Sequence, residues 1–249
     1  MQDGEKGRPA QVTPDDRGDT GAERADPYCL KEGEAERLLA GHPWRRFAAL
    51  GDSVAEGLGD PVPGYLDQPW VDRLATTLQR HAPELAYRNL GRRNTRAALV
   101  RSTQLDSALE FRPDLALVAC GGYDTLVPGF DAERVGADLR AIVTALAESG
   151  CTVVTISMID GSRGPQVPTA VRERFGPRIR ALSDVTEAIA REVGTVHVDL
   201  STHPVADEGG LLSADGRHAN RRGHAIAAAE TIRALGAHLD RSGTRTGGA

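Results

Sequence analysis

Apolar positions along the chain fall into two alternating patterns. Short runs rich in Val, Leu, Ile and Ala, each bounded by Gly, Pro or Asp, occur at 46–51, 85–91, 114–120, 151–157 and 195–200. Continuous apolar runs of this length are typical of strands that are buried on both faces, as in a parallel sheet. The sequence therefore predicts five parallel strands.

The segments between these runs carry apolar residues at helical spacing, as Val135, Leu139 and Leu146 illustrate. Asp131 and Asn220 stand where side chains cap the first turn of a helix. Strands that alternate with helices predict an α/β fold, here a three-layer α/β/α sandwich. The predicted helices cover 30–40, 68–81, 96–110, 131–149, 169–193 and 220–239.

Both ends of the chain differ in composition from the middle. The first 28 residues are rich in Asp, Gly, Arg and Pro and lack the apolar core of a signal peptide. We predict a disordered extension over 1–28, a single domain over 29–240 and a disordered tail over 241–249. No apolar stretch approaches the roughly 18 residues of a membrane span, which predicts no membrane partner and a cytoplasmic location.

Charge and cysteine content exclude several classes of function. The net charge is −5, and the basic residues are scattered among acids, which argues against a nucleic-acid partner. The three cysteines, an odd number without metal-ligand spacing, indicate neither a disulfide framework nor a zinc site. We expect no metal and no cofactor, and we expect Cys120 and Cys151 to be buried in strands.

Two polar motifs lie at the edges of predicted elements. Gly51-Asp52-Ser53 directly follows the first strand, and Asp215-Gly216-Arg217-His218 directly precedes the last helix. A serine nucleophile needs an imidazole to take its proton and a carboxylate to orient that imidazole. Open α/β sheets place their sites at the carboxyl ends of strands. We therefore predict Ser53 as nucleophile, His218 as base and Asp215 as the orienting acid.

With these motifs the chain resembles the SGNH hydrolases, also called GDSL esterases and lipases, over roughly residues 44–239. Residues 50–57 resemble the nucleophile block of the family, and residues 215–224 resemble its acid and base block, with Ala219 where proline is more usual. The resemblance implies a flavodoxin-like fold with a five-stranded parallel sheet. It also implies a hydrolase that acts on ester bonds.

Two departures from the family pattern concern the groups that stabilise the oxyanion. In the third block, residues 117–126, Tyr123 occupies the position where the family normally has asparagine. In the second block the glycine position corresponds either to Gly91 or, by the more usual spacing, to Asn94. The candidate donors are therefore Ser53, Gly91, Asn94 and Tyr123, although Tyr123 equally fits a role as a wall of the acyl pocket.

Other polar residues near the motifs have structural interpretations. Asp52 and Asp124 are expected to cap their own turns rather than to act in catalysis. His224 lies six residues after His218, a spacing that does not place two metal ligands on one helical face, so we expect His224 to be structural.

The first hypothesis for function is a serine esterase that acts on a small acyl ester through an acyl-enzyme. The second is an acyltransferase in metabolite tailoring that uses the same acyl-enzyme. The third is a non-hydrolytic protein, or one of altered chemistry, with a modified oxyanion hole. In each case we expect a small-molecule partner, and the sequence leaves the oligomeric state open.

Overall fold

A computed structural model describes residues 20–243 of the chain, and within them five parallel strands form one sheet. The order β2-β1-β3-β4-β5 is the doubly wound order of flavodoxin-like folds. The predicted fold is confirmed, and the observed strands lie within the predicted runs. They are β1 Arg46–Gly51, β2 Ala86–Asn89, β3 Leu115–Ala119, β4 Thr152–Ser157 and β5 Val196–Asp199.

The long helices begin and end close to their predicted limits, and Asp131 and Asn220 cap α7 and α10 through their side chains. Helices α3, α6 and α9 were not predicted, because segments of four or five residues are too short to show a helical period. A 3₁₀ turn covers Gly161–Arg163. The helices are α1 Gly21–Ala25, α2 Glu34–Leu39, α3 Ser53–Glu56, α4 Trp70–His81, α5 Ala97–Phe111, α6 Gly122–Leu126, α7 Ala132–Glu148, α8 Thr169–Val193, α9 Val205–Glu208 and α10 Arg221–Ser242.

The two faces of the sheet carry separate hydrophobic cores. Phe47 and Ala49 of β1 pack with α2, α4 and α10, whereas Ala48 and Leu50 pack with α5, α7 and α8. This alternation explains why the strand runs are apolar throughout. No helix within residues 20–243 is long and apolar enough to cross a bilayer. Cys151 is buried as predicted, whereas Cys120, which follows β3, is only half-buried.

Residues 20–28, for which the sequence predicts part of a disordered extension, instead pack on the domain. Glu23 accepts hydrogen bonds from two nitrogens of Arg73, at 2.6 and 3.1 Å. Asp26 is buried and accepts from Tyr65 Oη at 2.7 Å and from Arg222 Nε at 2.8 Å. The acidic composition of this segment is typical of residues exposed to solvent, but these two carboxylates have cationic or phenolic partners far along the chain. Residues 1–19 and 244–249 lie outside the described part.

The strand order reverses between β1 and β3, where Gly51 pairs with Ala119. A Cβ at Gly51 would lie 1.9 Å from the carbonyl oxygen of Ala119, and Gly51 has a φ of 150° that other residues rarely adopt. Glycine therefore lets the end of β1 lie against β3. Doubly wound sheets bind their ligands at such a switch point, and Ser53 follows two residues later.

Candidate active site

Ser53 is the first residue of α3 and is 8% exposed. Asp52 caps this helix, since its Oδ1 accepts from the Val54 N–H at 2.9 Å. The backbone N–H of a first helical residue has no acceptor within its own helix. The turn therefore presents the Ser53 hydroxyl and leaves its N–H available to a ligand.

Two buried carboxylates, those of Asp52 and Asp124, connect the turn that carries Ser53 to α6 and α5. The Oδ2 atom of Asp52 accepts from the Tyr123 N–H at 3.0 Å, and Asp124 Oδ2 accepts from the Ala97 N–H at 2.9 Å. Burial raises the pKa of Asp52 to about 6, against the opposing effect of the N–H groups of Val54 and Tyr123. The predicted capping role of Asp52 is confirmed. Asp124 caps α5 rather than its own turn, so α6 is held between α3 and α5.

The structure brings Ser53, His218 and Asp215 together. His218 Nε2 lies 3.0 Å from Ser53 Oγ, and His218 Nδ1 lies 2.5 Å from Asp215 Oδ2. Partial burial alone would raise the pKa of Asp215, but hydrogen bonds from the N–H groups of His218 and Arg217 and from the imidazole lower it overall. An ionised Asp215 accepts from Nδ1–H and so leaves the Nε2 lone pair facing the serine hydroxyl.

The loop that follows α3 holds in place the loop of residues 213–220, called here the acid and base loop because it carries Asp215 and His218. The N–H of Asp60 donates to Ser213 Oγ at 2.9 Å, and its carboxylate accepts from the Ala214 N–H at 2.7 Å. The Asp60 carbonyl accepts from the Arg221 N–H at 3.0 Å. Asp60 thus contacts the loop on both sides of Asp215 and His218. This role of Asp60 was not predicted, although Gly57 and Gly59 just before it are typical of a close backbone approach.

Gly59 is the residue that permits this approach, since a Cβ there would lie 2.0 Å from the Ala219 carbonyl oxygen and 2.7 Å from His224 Nε2. We expect Gly59→Ala to push the loop that carries Asp215 and His218 away from Ser53. It should lower kcat for the ester hydrolysis that the sequence predicts by about 10²-fold, the typical cost of misplacing a catalytic group by about 1 Å. Gly129→Ala is the control for a glycine replacement that costs stability alone, because its φ of 73° strains any side chain but a Cβ there meets nothing within 4 Å. An unchanged kcat for a folded Gly59→Ala variant would show that the loop is positioned by other means.

His224 is structural, as predicted. It is 3% exposed, its Nδ1 accepts from the Trp70 N–H at 3.2 Å, and its Nε2 donates to the Leu58 carbonyl at 3.0 Å. Burial lowers the pKa of His224 to about 4. No cluster of His, Cys, Asp or Glu suited to a metal ion occurs within residues 20–243.

Because His224 is neutral in the fold and has an ordinary pKa when unfolded, the unfolded chain binds more protons between pH 6.5 and 4. Its contribution to stability is therefore present above pH 6.5 and is lost as the pH falls, by about 3 kcal/mol in total. Gln at this position keeps one acceptor and one donor without titrating. We expect the difference in unfolding free energy between pH 7 and pH 4.5, measured with urea, to shrink by about 2 kcal/mol in His224→Gln. Equal differences in the two proteins would contradict this role.

Gly91 is not available as an oxyanion donor, which corrects one of the two alternatives for the second block. Its N–H already donates to Asn89 Oδ1 at 2.9 Å. A Cβ at Gly91 would lie 2.4 Å from the Glu56 nitrogen, so this glycine serves the packing of the loop against α3. Spacing alone could not distinguish this packing role from a catalytic one.

Asn94 adopts the left-handed conformation, with a φ of 59°, that a glycine would otherwise supply. The preceding residue is anchored on α3, because the Arg93 N–H donates to Glu56 Oε2 at 2.6 Å. Within residues 20–243, neither the N–H nor the amide of Asn94 has a hydrogen-bond partner. Asn94 lines a shallow groove beside Tyr123 and is not among the residues that surround Ser53.

Tyr123 separates that groove from a larger cavity. The cavity, about 640 Å³, opens at Ser53 and His218 and is lined mainly by apolar side chains. Tyr123 lines both spaces, and its hydroxyl has no partner in the described part of the chain. The aromatic ring thus forms a wall of the cavity. The cavity itself could not be predicted, because its lining comes from distant segments of the chain.

Comparisons with known proteins bear on the family and the fold of the chain. A model of the GDSL-like lipase/acylhydrolase family matches residues 49–226. No curated protein matches the sequence significantly. Solved structures that resemble the chain include TesA, with 24% identity and a TM-score of 0.58 over 76% of this chain and 97% of that one.

Two further solved structures also resemble the chain. The esterase EstA from Pseudoalteromonas sp. has 16% identity and a TM-score of 0.59, covering 79% of this chain and 99% of its own. The acetylxylan esterase Axe2 from Geobacillus stearothermophilus has 18% identity and a TM-score of 0.61, covering 80% and 96%. At these identities the structures support the fold alone.

Proposed function

Because this chain belongs to the GDSL-like lipase/acylhydrolase family, and is thus a hydrolase that acts on ester bonds, we propose that it cleaves a small-molecule acyl ester through Ser53, His218 and Asp215. The observation that carries the proposal is the hydrogen-bonded chain from Asp215 through His218 to Ser53, with distances of 2.5 and 3.0 Å, at the mouth of the cavity. This is the arrangement that activates a serine hydroxyl.

In the proposed reaction, Ser53 Oγ bonds to the ester carbonyl carbon while His218 Nε2 takes the hydroxyl proton. His218 returns that proton to the leaving alkoxide, the carbon–oxygen bond breaks, and an acyl-enzyme and an alcohol result. Water then gives a proton to His218 and its oxygen to the acyl carbon. The acid leaves, and the proton returns to Ser53. Asp215 stays ionised and stabilises the imidazolium in both halves.

For the oxyanion we propose the N–H group of Ser53 as donor, supported by its position at the start of α3, where it has no acceptor within the helix. The N–H of Asn94, which is unpaired within the described part of the chain but lies in the neighbouring groove, stays a prediction from the sequence. The third donor of the family pattern, an asparagine amide, is replaced by Tyr123, which we assign to the cavity wall.

Substitutions of Tyr123 test its assignment to the cavity wall. We expect Tyr123→Asn to raise kcat by about 10²-fold, the usual worth of one oxyanion donor, and Tyr123→Phe to leave kcat within about twofold. Initial rates with saturating p-nitrophenyl acetate measure both. A comparable loss in Tyr123→Phe would instead make the hydroxyl the third donor, and no gain in Tyr123→Asn would mean that an amide here does not reach the oxyanion.

Product analysis tests the proposed function. With p-nitrophenyl acetate, we expect one acetate for each p-nitrophenol, and we expect the same ratio when glycerol is added as an acceptor. Acetylglycerol in place of acetate would support the acyltransferase alternative. No p-nitrophenol from folded protein would support the protein of altered chemistry. A cytoplasmic location and the absence of nucleic-acid and membrane partners remain predictions from the sequence.

A further inference from the structure

The cavity beside Ser53 extends into the core of the domain. Its lining includes Trp70 of α4, Ile156 of β4, Leu200 after β5 and Ala227 of α10. These residues are 2, 7, 2 and 8% exposed, so they close the cavity at its inner side. The cavity therefore extends inward from Ser53 and His218. It lies between the carboxyl ends of the strands and the helices α4 and α10.

The opposite side of the cavity is formed by α6 and α8. Leu126, Phe175 and Ile179 line it, and Val171 adds an apolar side chain that is 38% exposed. Arg178 fixes this wall, because its guanidinium donates to the carbonyls of Thr125 at 2.9 Å and Val127 at 3.1 Å. The wall is thus held on the part of the chain that also carries Tyr123.

The polar atoms of His224 and Trp70, at the inner end of the cavity, already have hydrogen-bond partners. Both ring nitrogens of His224 are hydrogen-bonded, and Trp70 Nε1 donates to the Val54 carbonyl at 2.7 Å. The one buried side-chain nitrogen or oxygen without a partner among residues 20–243 is His42 Nδ1, which does not line the cavity. Charged residues of the lining, Asp215 and Arg217, are exposed at its mouth. Apolar cavities of this kind hold water poorly and accept hydrocarbon.

We propose that this cavity is the acyl subsite and that it accepts a medium-chain aliphatic acyl group, longer than butyryl. The inference rests on the proposed function for the attachment point, since the chain would extend inward from the carbonyl carbon held at Ser53. Each buried methylene is worth about 0.8 kcal/mol, equivalent to about fourfold in kcat/KM. A cavity of about 640 Å³ is larger than an acetyl group needs.

The test is a series of p-nitrophenyl esters from acetate to hexadecanoate, each assayed below its solubility limit. We expect kcat/KM to rise by about fourfold per methylene from acetate to octanoate and then to fall as the chain outgrows the cavity. A flat series, or a preference for acetate, would overturn the proposal while leaving the esterase function intact.

Variants locate the subsite. Ala227→Leu fills the inner end, and we expect it to lower the ratio of octanoate to acetate kcat/KM by at least about tenfold. Phe175→Ala, at the half-buried outer wall, should lower the same ratio without crowding the core. Ala237→Leu is the matched control, because Ala237 lies on the exposed face of α10. The ratio within each variant is independent of the fraction of folded enzyme. An unchanged ratio in both cavity variants would place the acyl chain elsewhere.

Binding of sodium octanoate, followed by calorimetry, separates this inference from the catalytic proposal. We expect octanoate to bind the natural chain and Ser53→Ala at least tenfold more tightly than butyrate, and Ala227→Leu to lose the difference. Octanoate binding without ester turnover would support the subsite and reject the esterase. Ester turnover without a chain-length preference and without octanoate binding would support the esterase and reject the subsite. Absence of both ester turnover and octanoate binding would overturn the subsite together with the esterase.

Discussion

Ser53→Ala is expected to lower kcat for ester hydrolysis by about 10⁶-fold, because the acyl-enzyme cannot form without the hydroxyl. His218→Ala should cost about as much, and the double variant should be no worse than either single one, since the two side chains act as one unit. Their contact at 3.0 Å is the physical basis of this non-additivity. Initial rates with p-nitrophenyl acetate measure all three variants.

Ser149→Ala is the control for serine replacement, because Ser149 is exposed at the end of α7, far along the chain from the catalytic motifs. Its kcat should equal that of the natural chain. If folded Ser53→Ala kept more than about 1% of kcat, the reaction would proceed without a serine nucleophile, and an attack by water would have to be considered.

Asp215→Asn is expected to lower kcat by about 10⁴-fold with little change in the fold. The asparagine oxygen can still accept from the N–H groups of Arg217 and His218, as Asp215 Oδ1 does. The amide that replaces Oδ2 cannot accept from His218 Nδ1–H, so the imidazole takes the tautomer that directs a proton rather than a lone pair at Ser53. Steady-state kinetics together with thermal melting separate this effect from unfolding.

Asp207→Asn is the matched control, since Asp207 is an exposed carboxylate that pairs with Arg163 away from the triad. It should keep the kcat of the natural chain. A loss of less than about tenfold in Asp215→Asn would mean that the 2.5 Å contact does not orient the imidazole during catalysis.

The sheet and the long helices could be predicted because their signals are local. Each strand run is apolar on both faces, and each long helix repeats its apolar positions over several turns. Residues 20–28, part of the predicted extension, were mispredicted for the opposite reason. Its acidic residues look solvated in sequence, yet Glu23 and Asp26 are paired with Arg73 and Arg222, about 50 and 200 residues away.

The candidate site also combines features that have a local sequence signal with features that depend on the fold. Ser53, Asp215 and His218 lie in short motifs whose residue types are dictated by the proposed chemistry, so the sequence was sufficient to propose them as a group, and the structure places the three side chains in hydrogen-bond contact. Whether Gly91 or Asn94 supplies a donor depends on where each N–H points, and Gly91 proved to be hydrogen-bonded to Asn89. The cavity was not predictable, because it exists only where side chains from separate elements meet.

The central claim, that Ser53 is a nucleophile activated by His218, is tested most directly by intact-mass analysis after treatment with a fluorophosphonate. This reagent forms a covalent adduct with an activated serine hydroxyl. We predict a single adduct on the natural chain and none on Ser53→Ala or His218→Ala. No adduct on the folded natural chain, or an adduct that persists in Ser53→Ala, would contradict the account.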